Sequence, residues 1–392
     1  MASVTGLGPA LDIDARLTEI ERRVDLLLNL TPVNAAEAWA DFERSDFGTV
    51  PTLRLRPLEF EPDLVRRELY DLAVEDVTDP ALHTLFRTKR DEIARQITAL
   101  EDRDTTRFVH GSLQLYGGVT PALVAAAEQL LATIPAQSPT APAVTAGAFA
   151  EAAREEFQRY RAVYPDFPVN VDVREDISEL MVSFGRLLIP ANASFRADRV
   201  EPLLHHEVGT HVVTYQNGAR QPLKLLTIGL PGYDETQEGL AVLAEYLTGG
   251  LDPRRLRVLA ARVVAVDQMI SGAGFLDIFE SLRKKHRIPR RTAWIIAIRV
   301  VVAGGSAKDA IYLRGVSRLL EAFADGVSLD ALLVGKLALD HLPLVQDLLD
   351  RGVLRKPWIR PRWLEAPGAP ERLERLRAGT SITDLYEGEK SA

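Results

Sequence analysis

The chain contains no cysteine. That absence excludes disulfide frameworks, iron–sulfur clusters, cysteine nucleophiles and thiolate-held zinc, so a metal here has to be held by His, Asp or Glu. Aromatic residues are sparse at 7%. Long apolar runs are missing too: in the most hydrophobic stretch, TAWIIAIRVVVAGG, Arg299 intervenes far short of the ~18 apolar residues of a membrane span. The amino-terminal stretch lacks a basic leader with an unbroken apolar core and reads as an amphipathic helix rather than a secretion signal. A soluble, cytoplasmic protein is expected, without a membrane partner, and the lack of cysteine fits a reducing compartment. Basic surface is in short supply at a net charge of −8, so no nucleic-acid partner is expected. Neither a G-x-S-x-G elbow nor a Walker A loop occurs, and no fixed-period repeat suggests a solenoid.

What remains is an ordinary globular composition, 46% hydrophobic and 26% charged over 392 residues, enough for two or three units of ~150 residues. Apolar residues at three- and four-residue spacing predict a helix over 12–30, with further helices over 61–73, 79–101, 120–134 and 146–161. Three prolines between Ile134 and Ala143 cannot sit in a helix and mark a boundary. This divides the chain into an N-terminal helical subdomain, 1–143, and a region 144–392 that carries the chemistry and ends in helices. Alternation in 169–173, then 180–184 and 186–189, predicts a small sheet. Beyond Asp198 the pattern is helical again, with Asp252-Pro253 opening one helix, Gly272 closing it and Ser328 capping another. The expected fold class is α+β, mainly α-helical, with the sheet preceding the chemically decisive helix.

That helix carries LLHHEVGTHVV, Leu203 to Val213, followed by DETQEGLA from Asp234. Three of the 7 histidines fall here. In the zinc-peptidase motif H-E-x-x-H the histidines stand four apart, ~40° around a helix, and share one ion. His206 and His211 stand five apart, which on a regular α-helix leaves their imidazoles ~140° apart. Convergence on one metal therefore requires a π-type turn to absorb the extra residue, made easier by Gly209. Catalytic zinc takes three protein ligands and keeps one position open. Glu238 is the candidate third ligand, with Glu235 its competitor on the same helical face. Glu207, beside the first ligand, is placed to act as the base.

HEVGTH followed by QEGLA resembles the bacterial QEGLA-motif proteins and the microtubule-associated tyrosine carboxypeptidases, zinc peptidases with an HExxxH motif. The likeness extends more loosely from Phe108 to Trp358, through HGSLQLYGG and SAKDAIYLRG. It implies a zincin-like metallopeptidase with one Zn2+ per chain on His206, His211 and Glu238, and Glu207 as catalytic base. It also implies removal of a C-terminal residue, tyrosine in the eukaryotic relatives, with the C-terminus of a peptide or protein as partner.

A carboxypeptidase needs a cation for the terminal carboxylate and a donor for the oxyanion. Lys308, Arg314 and Arg299 are candidates for the first role, Tyr312 and Tyr233 for the second. The run 180–189 offers an edge strand to a peptide backbone. Other readings are a zinc amidase on a small-molecule or cell-wall peptide, and a non-enzymatic metal-binding regulator, which would not need Glu207. His83, His110, His286 and His341 read as packing or surface histidines, and His205 as a neighbour of the site rather than a ligand. The basic run 283–291 reads as a solvated face, and KPWIRPRW as packing of the C-terminal segment.

Overall fold

The computed structural model describes residues 7–136, 142–177 and 179–387. Most of the central prolyl segment, 137–141, with the boundary placed there, lies outside the described residues. The helices begin with α1 (Gly8–Val24), α2 (Leu26–Leu30), α3 (Ala35–Arg44), α4 (Pro62–Tyr70), α5 (Pro80–Asp102), α6 (Phe108–Tyr116) and α7 (Pro121–Thr133). After strand β1 (Ala143–Thr145) and α8 (Ala146–Val163) come strands β2 (Val171–Arg174), β3 (Met181–Ser183), β4 (Arg186–Pro190) and β5 (Ser194–Arg196). Then follow α9 (Val200–His206), α10 (Val213–Ala219), α11 (Leu225–Ile228), α12 (Tyr233–Leu247), α13 (Pro253–Ile270), α14 (Phe275–Glu280), α15 (Arg290–Val301) and α16 (Ile311–Ala324). The chain is mainly helical with a small sheet, as its sequence predicts. No helix among the described residues is long and apolar enough to cross a membrane.

Local chemistry sets these boundaries. Asp79, Thr120, Thr145 and Asp252 each cap a helix by accepting from a backbone N–H of its first turn, three of them with proline next in sequence. The helix expected over 12–30 is broken at Asp25, which adopts φ 32° and turns its carboxylate to Leu28 N, capping α2. Ser328 precedes only a four-residue helix and makes no side-chain capping bond.

The sheet has the order β2-β4-β3, with β2 parallel and β3 antiparallel to β4. Phe184 and Gly185, both at positive φ, form the two-residue turn joining β3 to β4. A separate antiparallel pair, β1 with β5, was not foreseen: three-residue strands are too short to show a period and exist through their pairing.

Two apolar clusters hold the molecule. The smaller joins α8, β4 and the helix after the sheet, through Phe149, Phe157, Leu187, Val208 and Val212, and reaches Ile359. The larger spans Ala10 to Leu385 and joins the N-terminal helices to α12, α13, α15 and α16. Within it α12 and α16 cross at two glycines: a Cβ on Gly239 would fall 2.4 Å from the Gly315 carbonyl carbon, and one on Gly315 would fall 2.1 Å from Glu235 O. The glycine of QEGLA and that of SAKDAIYLRG thus meet at one contact. The two clusters adjoin along α9 and α12, where the decisive histidines lie.

Candidate metal centre

Helices α9 and α10 are one rod interrupted by a π-helical turn, Glu207–Val212. Val213 N donates to Val208 O five residues back, in place of the usual four. The extra residue expected from the spacing is absorbed there, and His206 and His211 come onto one side, their ring centroids 5.1 Å apart at an interplanar angle of 77°. Gly209 sits at the tightest point: Trp363 Nε1 donates to its carbonyl at 3.0 Å, and an added Cβ would lie 2.8 Å from Trp363 Cδ1. Trp358 packs on Tyr164 and under Arg220, so the C-terminal tryptophans do act in packing.

Helix α12 crosses the rod and brings Glu238 to the histidines. Its Oε2 lies 3.5 Å from His206 Nε2 and 3.7 Å from His211 Nε2, and the three groups offer atoms all within 4.8 Å of one another. Glu238 Oε2 is buried without a hydrogen-bond partner. These separations are long for hydrogen bonds. They are close to the ~3.3 Å between ligand atoms placed ~2.0–2.1 Å from one tetrahedral ion. The residues therefore fit zinc in donor type and in spacing. Glu235, the competitor, points elsewhere: its carboxylate is taken by Arg314 and, at 2.8 Å, by Arg318.

A second carboxylate completes the arrangement. Glu245, fully buried, lies two turns beyond Glu238, and its Oε1 is 2.8 Å from His206 Nδ1. Arg199 at 2.5 Å and Arg255 at 3.5 Å hold Glu245 from the other side. Burial alone would push the Glu245 carboxyl up, but Arg255, His206 and Arg199 bring it down to about 2. An ionised Glu245 only accepts, so His206 Nδ1 carries the hydrogen and Nε2 is the atom presented to the centre. Burial likewise opposes the charge of His206, yet Glu238, Glu245 and Glu207 raise it to about 9, so the surroundings favour a positive charge at this point. Glu207 is 7% exposed, and its burial raises its carboxyl above the ordinary value against the pull of the two histidines. Burial pushes His205 down; it lies 3.8 Å from Glu201 and takes no part in the cluster.

The triad and Glu207 open onto a cavity of about 230 Å3. Tyr233, Tyr312, Lys308 and Arg299 line it, as do Leu180, Met181 and Val182 of the sheet edge. Lys308 Nζ is 3.8 Å from Asp234 and 4.0 Å from Glu238. Arg299 is occupied by Asp309, at 2.7–2.9 Å, and by Glu179. Arg314 does not line the cavity; its guanidinium is taken up by Glu235 and the carbonyls of Tyr116 and Gly118. Two further residues at the site, Glu245 beside His206 and Lys336 in the cavity wall, are not among those the sequence motifs single out. Glu245 was legible in principle, seven residues beyond Glu238 on the same helical face. Lys336 comes from a distant loop with no motif.

Among known families, the chain matches the one described as microtubule-associated tyrosine carboxypeptidase over residues 40–380. No curated protein and no solved structure matches it.

Proposed function

Because the chain belongs to the microtubule-associated tyrosine carboxypeptidase family, we propose that it is a zinc-dependent metallopeptidase that removes a C-terminal residue, tyrosine among the candidates, from a peptide or protein. The observation that carries the proposal is the meeting of His206, His211 and Glu238 beside buried Glu207 in one cavity. His206, His211 and Glu238 would hold the ion, with Glu245 fixing the ring of His206. Bound there, zinc would supply Lewis acidity toward the scissile carbonyl and toward water. Glu207 takes the proton of the attacking water as the C–O bond forms, and gives it to the amine nitrogen as the C–N bond breaks. Tyr312 and Tyr233, both lining the cavity, are the proposed hydroxyl donors to the carbonyl oxygen as it gains charge. Among the described residues strand β3 pairs with β4 alone, and its other edge would align the substrate backbone by strand addition.

Mass spectrometry of peptides with varied C-termini, incubated with the zinc-loaded wild type and with Glu207→Gln, tests this. Loss of single C-terminal residues only with the wild type is expected. Equal trimming by both proteins would contradict the role of Glu207, and internal cleavage would contradict the carboxypeptidase reading.

A further inference from the structure

Among the described residues, three lysine and arginine side chains line the cavity of the metal centre, and two of them have carboxylates within 4.0 Å: Arg299 with Asp309 and Glu179, and Lys308 with Asp234 and the metal-ligand candidate Glu238. The third, Lys336, makes no ion pair with a described residue. It faces aromatic rings, with Nζ 5.4 Å from the ring centre of Tyr233 and 6.0 Å from that of Tyr215. An ammonium half-buried in a cavity wall with no carboxylate in direct contact is only weakly compensated, and an anion from outside can complete it.

The backbone that carries it is fixed. Lys336 N donates to Leu226 O at 2.8 Å, Leu230 N donates to Lys336 O at 3.0 Å, and a Cβ on the neighbouring Gly335 would fall 2.7 Å from Leu226 O. The loop is thereby tied to α11 and to Leu230 just beyond it.

Resting on the carboxypeptidase reading, we propose that Lys336 is the anchor for the free α-carboxylate of the substrate. A substrate ending in a carboxylate brings the missing counter-charge, and a flexible ammonium with three donors can follow it. Burial pushes Lys336 below the ordinary lysine value, opposed by Asp234 and Glu238, so an entering carboxylate also relieves the desolvated charge. A chain lacking that carboxylate, such as a C-terminal amide or an internal segment, leaves Lys336 without a direct partner and is discriminated against. The assignment makes Lys336 a specificity determinant, one that selects chain ends over chain interiors.

The test is binding by calorimetry to zinc-loaded Glu207→Gln protein, using one hexapeptide ending in tyrosine as its free acid and as its amide. The acid is expected to bind about 10-fold to 100-fold more tightly, the range of a charge-assisted contact. In Lys336→Met or Lys336→Gln on the same background the ratio should fall to about 1, and Lys336→Arg should keep part of it. Zinc content and circular dichroism establish that each variant is folded, and two neutral replacements guard against one failing to fold. Equal binding of acid and amide, or of neither, before any change at Lys336 would overturn the proposal. So would an acid preference that survives in both neutral variants, which would point to Lys308. A wild type that binds the acid selectively through Lys336 yet trims nothing would overturn the peptidase reading alone.

Discussion

The ring of His206 is held by Glu245, a side chain that touches no other member of the metal cluster. Replacing Glu245 by Gln leaves the volume but removes the charge that fixes the tautomer and faces Arg199 and Arg255. Zinc affinity, read by competition with a chromophoric chelator, should fall about 10-fold to 100-fold, and unchanged affinity would contradict the role given to Glu245. Asp14 acts at the same scale, far from the cluster in sequence. Its buried carboxylate accepts from the backbone N–H of Lys224 and Leu225 at the start of α11, and burial outweighs those bonds to raise it from 3.8 to about 6. Between about pH 4 and 6 the folded chain keeps a proton the unfolded chain has lost, so this group's contribution falls as pH rises through that window. The loss amounts to as much as about 3 kcal/mol. Urea unfolding at about pH 4 and about pH 7 should show the margin of wild type over Asp14→Asn narrowing at the higher pH, and a widening margin would contradict it. At this scale residue types and spacings already single out His206, His211 and Glu207, and Glu238 as third ligand with Glu235 as its competitor. Arg314 and Arg318, distant in sequence, separate the two acids by drawing Glu235 away.

At the scale of elements, the π turn was the most legible feature, because a five-residue histidine spacing permits convergence in few other ways. The three-stranded sheet was legible from alternation. The β1–β5 pair was not, since its register depends on contacts across about fifty residues rather than on local pattern. The close crossing of α12 and α16 was equally hidden, because glycine in a helix says nothing by itself about what approaches it. Gly239→Ala should gain ~1 kcal/mol of helix propensity, yet its Cβ would press on the Gly315 backbone at a cost of ~1–3 kcal/mol or more. A lower midpoint in denaturant is expected, with zinc affinity reduced as α12 shifts. A stabilised variant would show that the crossing is not rigid.

Across the whole molecule, the match to the family begins at residue 40, whereas Leu27, Leu30, Thr31, Pro32 and Ala35 already form part of the cavity wall. The helices before the matched region are also tied into the interior. Fully buried Lys89 is held between Glu21 of α1 and Glu92, and one apolar cluster runs from Ala10 to Leu385. Periodicity along the chain shows each helix but not which distant helix covers its apolar face, so this union could not be read from sequence. If the amino-terminal wall shapes the pocket for the departing residue, Leu27→Ala combined with Leu30→Ala should shift preference toward bulkier C-terminal residues without loss of zinc, as a peptide library with varied ends would show. An unchanged preference would remove that wall from substrate selection. His206, His211 and Glu238 are proposed to form one zinc site, with Glu207 beside it as a base. Zinc analysis of purified wild type, His211→Ala, Glu238→Ala and Glu207→Gln tests it most directly. About one zinc per chain is expected in the wild type and in Glu207→Gln, with little in the other two. Zinc retained in full by His211→Ala and Glu238→Ala, or absent from the wild type, would contradict it.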